Sequence, residues 1–86
     1  KATDVKFNIA RAYYEDGDYK KSAELFKEFA LNHADHKDAP VAGNLAFDSL
    51  RQINDFKAID EYGKAFLAAN LPPAFKSDVH KILTQT

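Results

Sequence analysis

The 86-residue chain has no cysteine, no methionine and no tryptophan. Zero cysteine rules out disulfides and thiol catalysis, and fits any redox compartment. The chain starts at Lys1 with no initiator methionine, so it is expected to be a processed product or a piece of a longer protein. Glycine is scarce: Gly17, Gly43 and Gly63 are scattered, which excludes a Gly-rich phosphate loop. No apolar run approaches the ~20 residues of a membrane span, and no signal peptide is visible. Charge of one sign is missing too. Twelve Lys and Arg stand among thirteen Asp and Glu, for a net charge of −1. A nucleic-acid binder normally shows a basic patch, so nucleic acid is not an expected partner.

What is present is a folding chain. Hydrophobic residues make up 45% and aromatics 13%, too much apolar surface for disorder. The length allows one domain at most. A chain this short buries a little over ~60% of its unfolded surface, so modest stability is expected.

The most informative stretch is Tyr13 to Phe29, Y-Y-E-D-G-D-Y-K-K-S-A-E-L-F-K-E-F. One helix ends near Asp16. Gly17 takes φ > 0 without steric cost and terminates it. Asp18 accepts from the free N–H groups that open the next helix. Tyr19, Ser22, Phe26 and Phe29 then follow at helical spacing. A shift of 37 residues reproduces this hairpin: Asp18 falls on Asp55, Lys20 on Lys57, Glu24 on Glu61, Lys27 on Lys64 and Phe29 on Phe66. Ala2 falls on Ala39 and Tyr19 on Phe56. Such a period points to stacked hairpins.

On Ile9, Ala10, Tyr13, Gly17-Asp18-Tyr19, Ser22, Phe26 and Phe29, the chain resembles the tetratricopeptide repeat family. The likeness covers roughly residues 4–72 and is strongest in the first repeat. Lys6 stands where the family has Trp, and Ala34 where it has a closing Pro. The second repeat departs further, with Phe47 for Ala10, Asn54 for Gly17, Ile59 for Ser22 and Gly63 for Phe26. Members from the bacterial cell envelope look most similar, which favours periplasm or envelope over cytoplasm. One departure suggests that bulk has moved within the hairpin: small Ala10 with large Phe26, then large Phe47 with Gly63. Cores tolerate such volume-conserving exchanges best.

In chain order, a first helix is expected over residues 3–16, capped by Thr3 or Asp4, with Val5, Ile9, Ala10, Ala12 and Tyr13 apolar. A second follows over 19–33. Asn32 to Asp38 reads as a polar loop. A third helix opens near Pro40, in a first turn where a missing N–H costs nothing. It runs to about Ile53, with Leu45, Ala46, Ser49, Leu50 and Ile53 as its buried stripe. A fourth runs over 56–70, with Ile59, Tyr62, Phe66 and Leu67 apolar, and Leu71-Pro72-Pro73 ends it. A fifth, Ala74 to about Thr84, carries Phe75, Val79, Ile82 and Leu83 on one stripe. It is either a cap covering the end of the stack or the first helix of a third repeat. Repeat one is thus placed at about 3–36, repeat two at about 39–72 and the terminal helix at about 73–84.

Catalytic constellations are thin. His33 and His36 in H-A-D-H, with Asp35 and Asp38, have permissive metal chemistry, but they lie in a loop with no second ligand pair. His80 is expected on the surface. Ser22, Ser49 and Ser77 have no adjacent His–acid pair. Asp60-Glu61 lies on a helix surface, without the apolar pocket that raises a catalytic pKa. No enzyme activity, cofactor or metal is expected.

The fold expected is all-α: a right-handed stack of two antiparallel helical hairpins with a C-terminal helix. The resemblance implies a concave groove lined by the first helix of each hairpin. By position it would present Phe7, Arg11 and Tyr14, then Asn44, Asp48 and Arg51. Arg and Tyr are favoured interface anchors. Alternatively, Arg11 and Asp48 pair across the groove and Tyr14 packs between hairpins. The carboxylate-clamping members use a Lys where Phe7 stands, which argues against that subtype. The expected function is a non-enzymatic protein-interaction module within a larger bacterial protein, binding a peptide segment in the groove. The alternatives are a homodimerisation module, pairing through end faces near Phe75 and Val79, and a regulatory domain of a multidomain enzyme.

Overall fold

Two turns shape the backbone, and they are built alike. In the computed structural model, which describes the backbone of residues 2–85 and the side chains of residues 5–84, five helices follow one another: α1 (Ala2–Glu15), α2 (Tyr19–Asn32), α3 (Ala39–Gln52), α4 (Phe56–Ala68) and α5 (Pro73–Gln85). The described residues form no strand, so the fold is all-α. After α1, Gly17 has φ +87°. Its N–H donates to the Tyr14 carbonyl (3.2 Å), and the Asp18 N–H donates to the Tyr13 carbonyl (2.9 Å). After α3, Asn54 has φ 56°. Its N–H donates to Arg51 (3.1 Å), and the Asp55 N–H donates to Leu50 (3.0 Å). These are the paired bonds of a Schellman motif, with the left-handed residue just past the helix end. Asparagine is among the few side chains that enter that region readily, which accounts for Asn54 at the place of Gly17.

Each turn hands directly to the next helix. Asp18 caps α2 by accepting from the Lys21 N–H (3.4 Å), and Asp55 caps α4 by accepting from the Ala58 N–H (3.2 Å). Pro40 lies in the first turn of α3, as its missing N–H allows. Thr3 and Asp4, expected to cap α1, lie within that helix, and their side chains fall outside the described residues.

Helix α2 packs on α1, α3 and α4, and α5 packs on α4. The core between them contains Ala10, Ala23, Phe26, Phe29, Ala42, Ala46, Phe47, Leu50, Ile59 and Phe66, completed from α5 by Phe75 and Val79. The rings meet edge to face, the geometry their quadrupoles favour. Phe7 sits 5.6 Å from Phe26 and 5.4 Å from Phe29, Phe47 is 5.4 Å from Phe66, and Phe66 is 5.6 Å from Phe75. One polar link crosses the α2–α3 contact. Ser49 Oγ donates to its own helix at the Leu45 carbonyl (2.8 Å). A hydroxyl has one proton, so Ser22 Oγ donates to Ser49 Oγ across 3.2 Å.

Several expectations need correcting. Val5 and Ile9, read as apolar positions of α1, do not face the core: they are 53% and 46% exposed. Ala12 is exposed too. The α1 side that meets α2 is carried by Ala10 and Phe7. Ile53 is also exposed, because α3 has already ended at Gln52. The proposed exchange of bulk between Phe47 and Gly63 within one hairpin does not hold. A Cβ on Gly63 would come within 2.6 Å of Leu83 Cδ2, so Gly63 makes room for α5. Likewise a Cβ on Gly43 would overlap the Phe75 ring. Phe75 and Val79, expected to offer an end face to a second copy, are buried inside the chain.

Two stability predictions follow from these contacts. Gly17→Ala forces a side chain into the left-handed region and should cost about 1–2 kcal/mol, with Gly17→Asn milder; chemical denaturation of the three proteins would rank them, and equal stabilities would refute the turn assignment. Ser49→Ala leaves the buried Ser22 hydroxyl without its acceptor and should cost about 1–3 kcal/mol. The Ser22→Ala, Ser49→Ala double variant should then cost clearly less than the sum of the two single variants. Additive costs would show that the hydroxyls do not depend on each other.

Candidate interaction groove

The residues expected to line a groove come from two helices, α1 and α3, that one bond links. Tyr14 on α1 donates its phenolic O–H to Asp48 Oδ2 on α3. Tyr14 is half-buried, and its ring packs edge-on against Tyr19 at 5.5 Å. The bond holds the phenol above its usual pKa of 10.0, because ionisation would destroy the donor and set two anions together; burial adds to the shift.

The other expected groove residues are placed as follows. Asn44 and Arg51 are exposed on α3, with Asp48 half-buried between them. Arg51 makes no ion pair among the described residues. Arg11 is exposed and pairs loosely within its own helix, Nη2 to Glu15 Oε2 at 3.4 Å; it does not pair with Asp48. Such an exposed i,i+4 pair contributes little and is easily exchanged. Phe7 is half-buried and packed between Phe26 and Phe29, so most of its ring is committed to the core. Val41 was missed. It is 46% exposed, three residues before Asn44 and seven before Asp48, on the same helical face. That spacing is readable in the sequence, but Val41 falls neither in the expected buried stripe of α3 nor among the expected groove residues.

The remaining candidates are ordinary in setting. His33 and His36 flank the Phe29 ring, with centroids 5.3 and 5.2 Å away. His36 Nδ1 accepts from the Asp38 N–H at 3.0 Å, which fixes the ring in the loop. Among the described residues no three His, Cys, Asp or Glu side chains cluster to hold a metal ion. Asp60 pairs with Lys64 at 3.0 Å on the α4 surface, and Lys27 lies 4.7 Å over the Tyr62 ring, joining α2 to α4. No helix among the described residues is long and apolar enough to cross a membrane. No protein-family model, curated protein or solved structure matches the chain.

Two tyrosines, Tyr14 and Tyr62, give the fold a pH signature. The phenols of Tyr14 and Tyr62 are both raised, Tyr62 chiefly by burial and then by nearby carboxylates including Glu24 and Asp55. As pH climbs past 10.0, an unfolded tyrosine releases its proton while these two still hold theirs. The native chain then binds more protons than the unfolded one, so stability falls with pH in that window and is fully present below it. Urea midpoints on both sides of pH 10.0 should decline above it, and Tyr14→Phe should shallow the decline by removing one of the two contributions. An unchanged slope in the variant would mean that Tyr14 does not hold its proton through Asp48.

Proposed function

We propose that the chain is a tetratricopeptide-like repeat module, a right-handed stack of two hairpins followed by a fifth helix, and that it binds a peptide segment of another protein in the groove between α1 and α3. The observation that carries this reading is the Tyr14–Asp48 bond, which links the two first helices, with Asn44 and Arg51 exposed beside it. The repeated Schellman turn and capping Asp support the stacking. The module is read as non-enzymatic and as part of a larger bacterial protein of the cell envelope.

The groove chemistry narrows the ligand. Asp48 is engaged by Tyr14, so the readily available charges are cationic, Arg51 and then Arg11 once it leaves Glu15. Val41 adds an apolar contact at the start of the α3 row. The peptide that fits would carry a carboxylate for the arginines and an apolar side chain several residues away. Arginine suits this role through its forked donors.

Selection from a displayed random-peptide library would test the groove without knowledge of the natural partner. Peptides enriched on the wild-type chain should be rich in Asp or Glu, and their binding should fall at least tenfold with Arg51→Glu or with Arg11→Glu. Enriched peptides that bind both variants as well as wild type would place the ligand elsewhere.

A further inference from the structure

The two turns match in backbone geometry but not in chemistry. At the 37-residue shift, Asp16-Gly17 of the first turn falls on Ile53-Asn54 of the second. Asp16-Gly17 is the chain's single Asp–Gly pair, and there is no Asn–Gly pair; every other Asp and Asn is followed by a residue with a side chain. Asp16 lies just past the end of α1 and is exposed. Its carboxylate makes no hydrogen bond or ion pair among the described residues. Asp18 and Asp55 differ: each is engaged at a helix N-terminus, and each precedes an aromatic residue. The side of Gly17 on which a Cβ would stand is open, with no atom within 4 Å. One bond guards its nitrogen, the 3.2 Å donation to the Tyr14 carbonyl.

An aspartate side chain can close a five-membered ring on the nitrogen of the residue that follows it. The side chain of that residue ordinarily crowds the closure, and glycine has none. We infer that Asp16-Gly17 is a self-modification site, at which the chain converts to an isoaspartyl linkage and so unlatches the turn between α1 and α2. The Gly17 nitrogen attacks Asp16 Cγ. An N–C bond forms, the Cγ–OH bond breaks, and the hydroxyl leaves with the Gly17 amide proton as water. The product is a succinimide. Water then adds at one of its two carbonyls. Opening at Cγ restores aspartate, whereas opening at the main-chain carbonyl of Asp16 carries the backbone through Cβ and Cγ. The two steps together leave the mass unchanged. The succinimide has no N–H, so the bond to Tyr14 must break first, and closure proceeds only when the turn opens locally. The isoaspartyl backbone is longer by one methylene, so the Gly17 and Asp18 N–H groups no longer meet the Tyr14 and Tyr13 carbonyls together. The second turn, with Ile53 at the place of Asp16, is exempt. The inference does not depend on the groove.

Prolonged incubation of the full chain in warm neutral buffer, followed by peptide mapping, tests this. Isoaspartate is counted with a carboxyl methyltransferase specific for it. It is located by the failure of an aspartate-directed protease to cut before residue 16. It should accumulate at residue 16 above all other positions, and more slowly than in a free peptide of residues 11–21. Asp16→Glu, which would have to close a larger ring, should abolish the signal. Asp16→Asn should hasten it, with ammonia leaving in place of water. The isomerised chain, separated by chromatography, should show faster amide exchange at Gly17 and Asp18 and a lower urea midpoint than the unmodified chain. Isoaspartate concentrated at another residue, or none at residue 16 while the free peptide converts, would overturn the site. An isomerised chain whose exchange and midpoint match those of the unmodified chain would overturn the effect on the turn.

Discussion

The close approach of α2 to α3 is the constraint on which the rest of the arrangement depends. Small residues make it possible: Ser22, Ala23 and Ala30 on one helix, and Ala39, Ala42, Ala46 and Ser49 on the other, all buried. Two hydroxyls meet in that contact and satisfy each other, Ser22 giving its proton to Ser49 and Ser49 giving its own to Leu45. A buried hydroxyl without a partner is costly, so the pair favours one registration of the two helices over a slide along either axis. With α2 seated on α3, α1 is carried alongside through its short turn. Tyr14 then arrives at Asp48. The Tyr14–Asp48 link is thus a consequence of the packing between the hairpins.

The same physics explains why α5 belongs to the structure. A helix with Phe75, Val79, Ile82 and Leu83 along one side needs space on its neighbours. Gly43 and Gly63 provide it, one on each helix of the second hairpin. Packed interiors have little room for rearrangement, so each missing side chain must be matched by a present one. Phe75 takes up the space over Gly43 and also meets Phe66. The corresponding place beside Phe29 is held by His36. The loop histidine and the first turn of α5 therefore do one job at two successive levels, which the polar reading of N-H-A-D-H-K-D concealed.

Much of the fold was legible because its signals are local. The five helices lie within a few residues of their expected bounds, since Gly17, Asn54, Asp18, Asp55, Pro40 and Pro73 act on the backbone next to them. The misjudged residues depend on which neighbour arrives. Periodicity places Val5, Ile9 and Ala12 on one side of α1, and an apolar side is ordinarily turned inward. Whether it is covered depends on another helix being there, and no property of α1 itself encodes that. Gly63 was paired with Phe47 because both lie in the second hairpin, whereas the atoms that fill its space come from α5. Val41 shares the spacing of Asn44 and Asp48 and is exposed with Asn44, although it is apolar. Within the groove, the sequence supplied the residues but not the partner swap that gives Asp48 to Tyr14 and Arg11 to Glu15. That swap follows from reach. The rigid phenol spans the gap between helices, whereas the arginine finds a carboxylate one turn along its own helix.

Two surfaces of unlike chemistry therefore sit on α1, and their difference has a structural cause. On the groove side, the Tyr14–Asp48 bond joins polar groups across a contact between helices that are not sequence neighbours. Polar residues there satisfy one another and leave arginines to face solvent. On the outer side, Val5 and Ile9 are exposed, whereas Ala42, Ala46 and Val79, at the same register on α3 and α5, are fully buried and Leu83 is half-buried against Gly63. Isolated exposed apolar residues are common and require no explanation. These two stand one turn apart, beside a cleft lined by Ile9, Leu25 and Phe29. The packing of their counterparts against α2 and α4 ties the apolar character of that side to helix-on-helix contact.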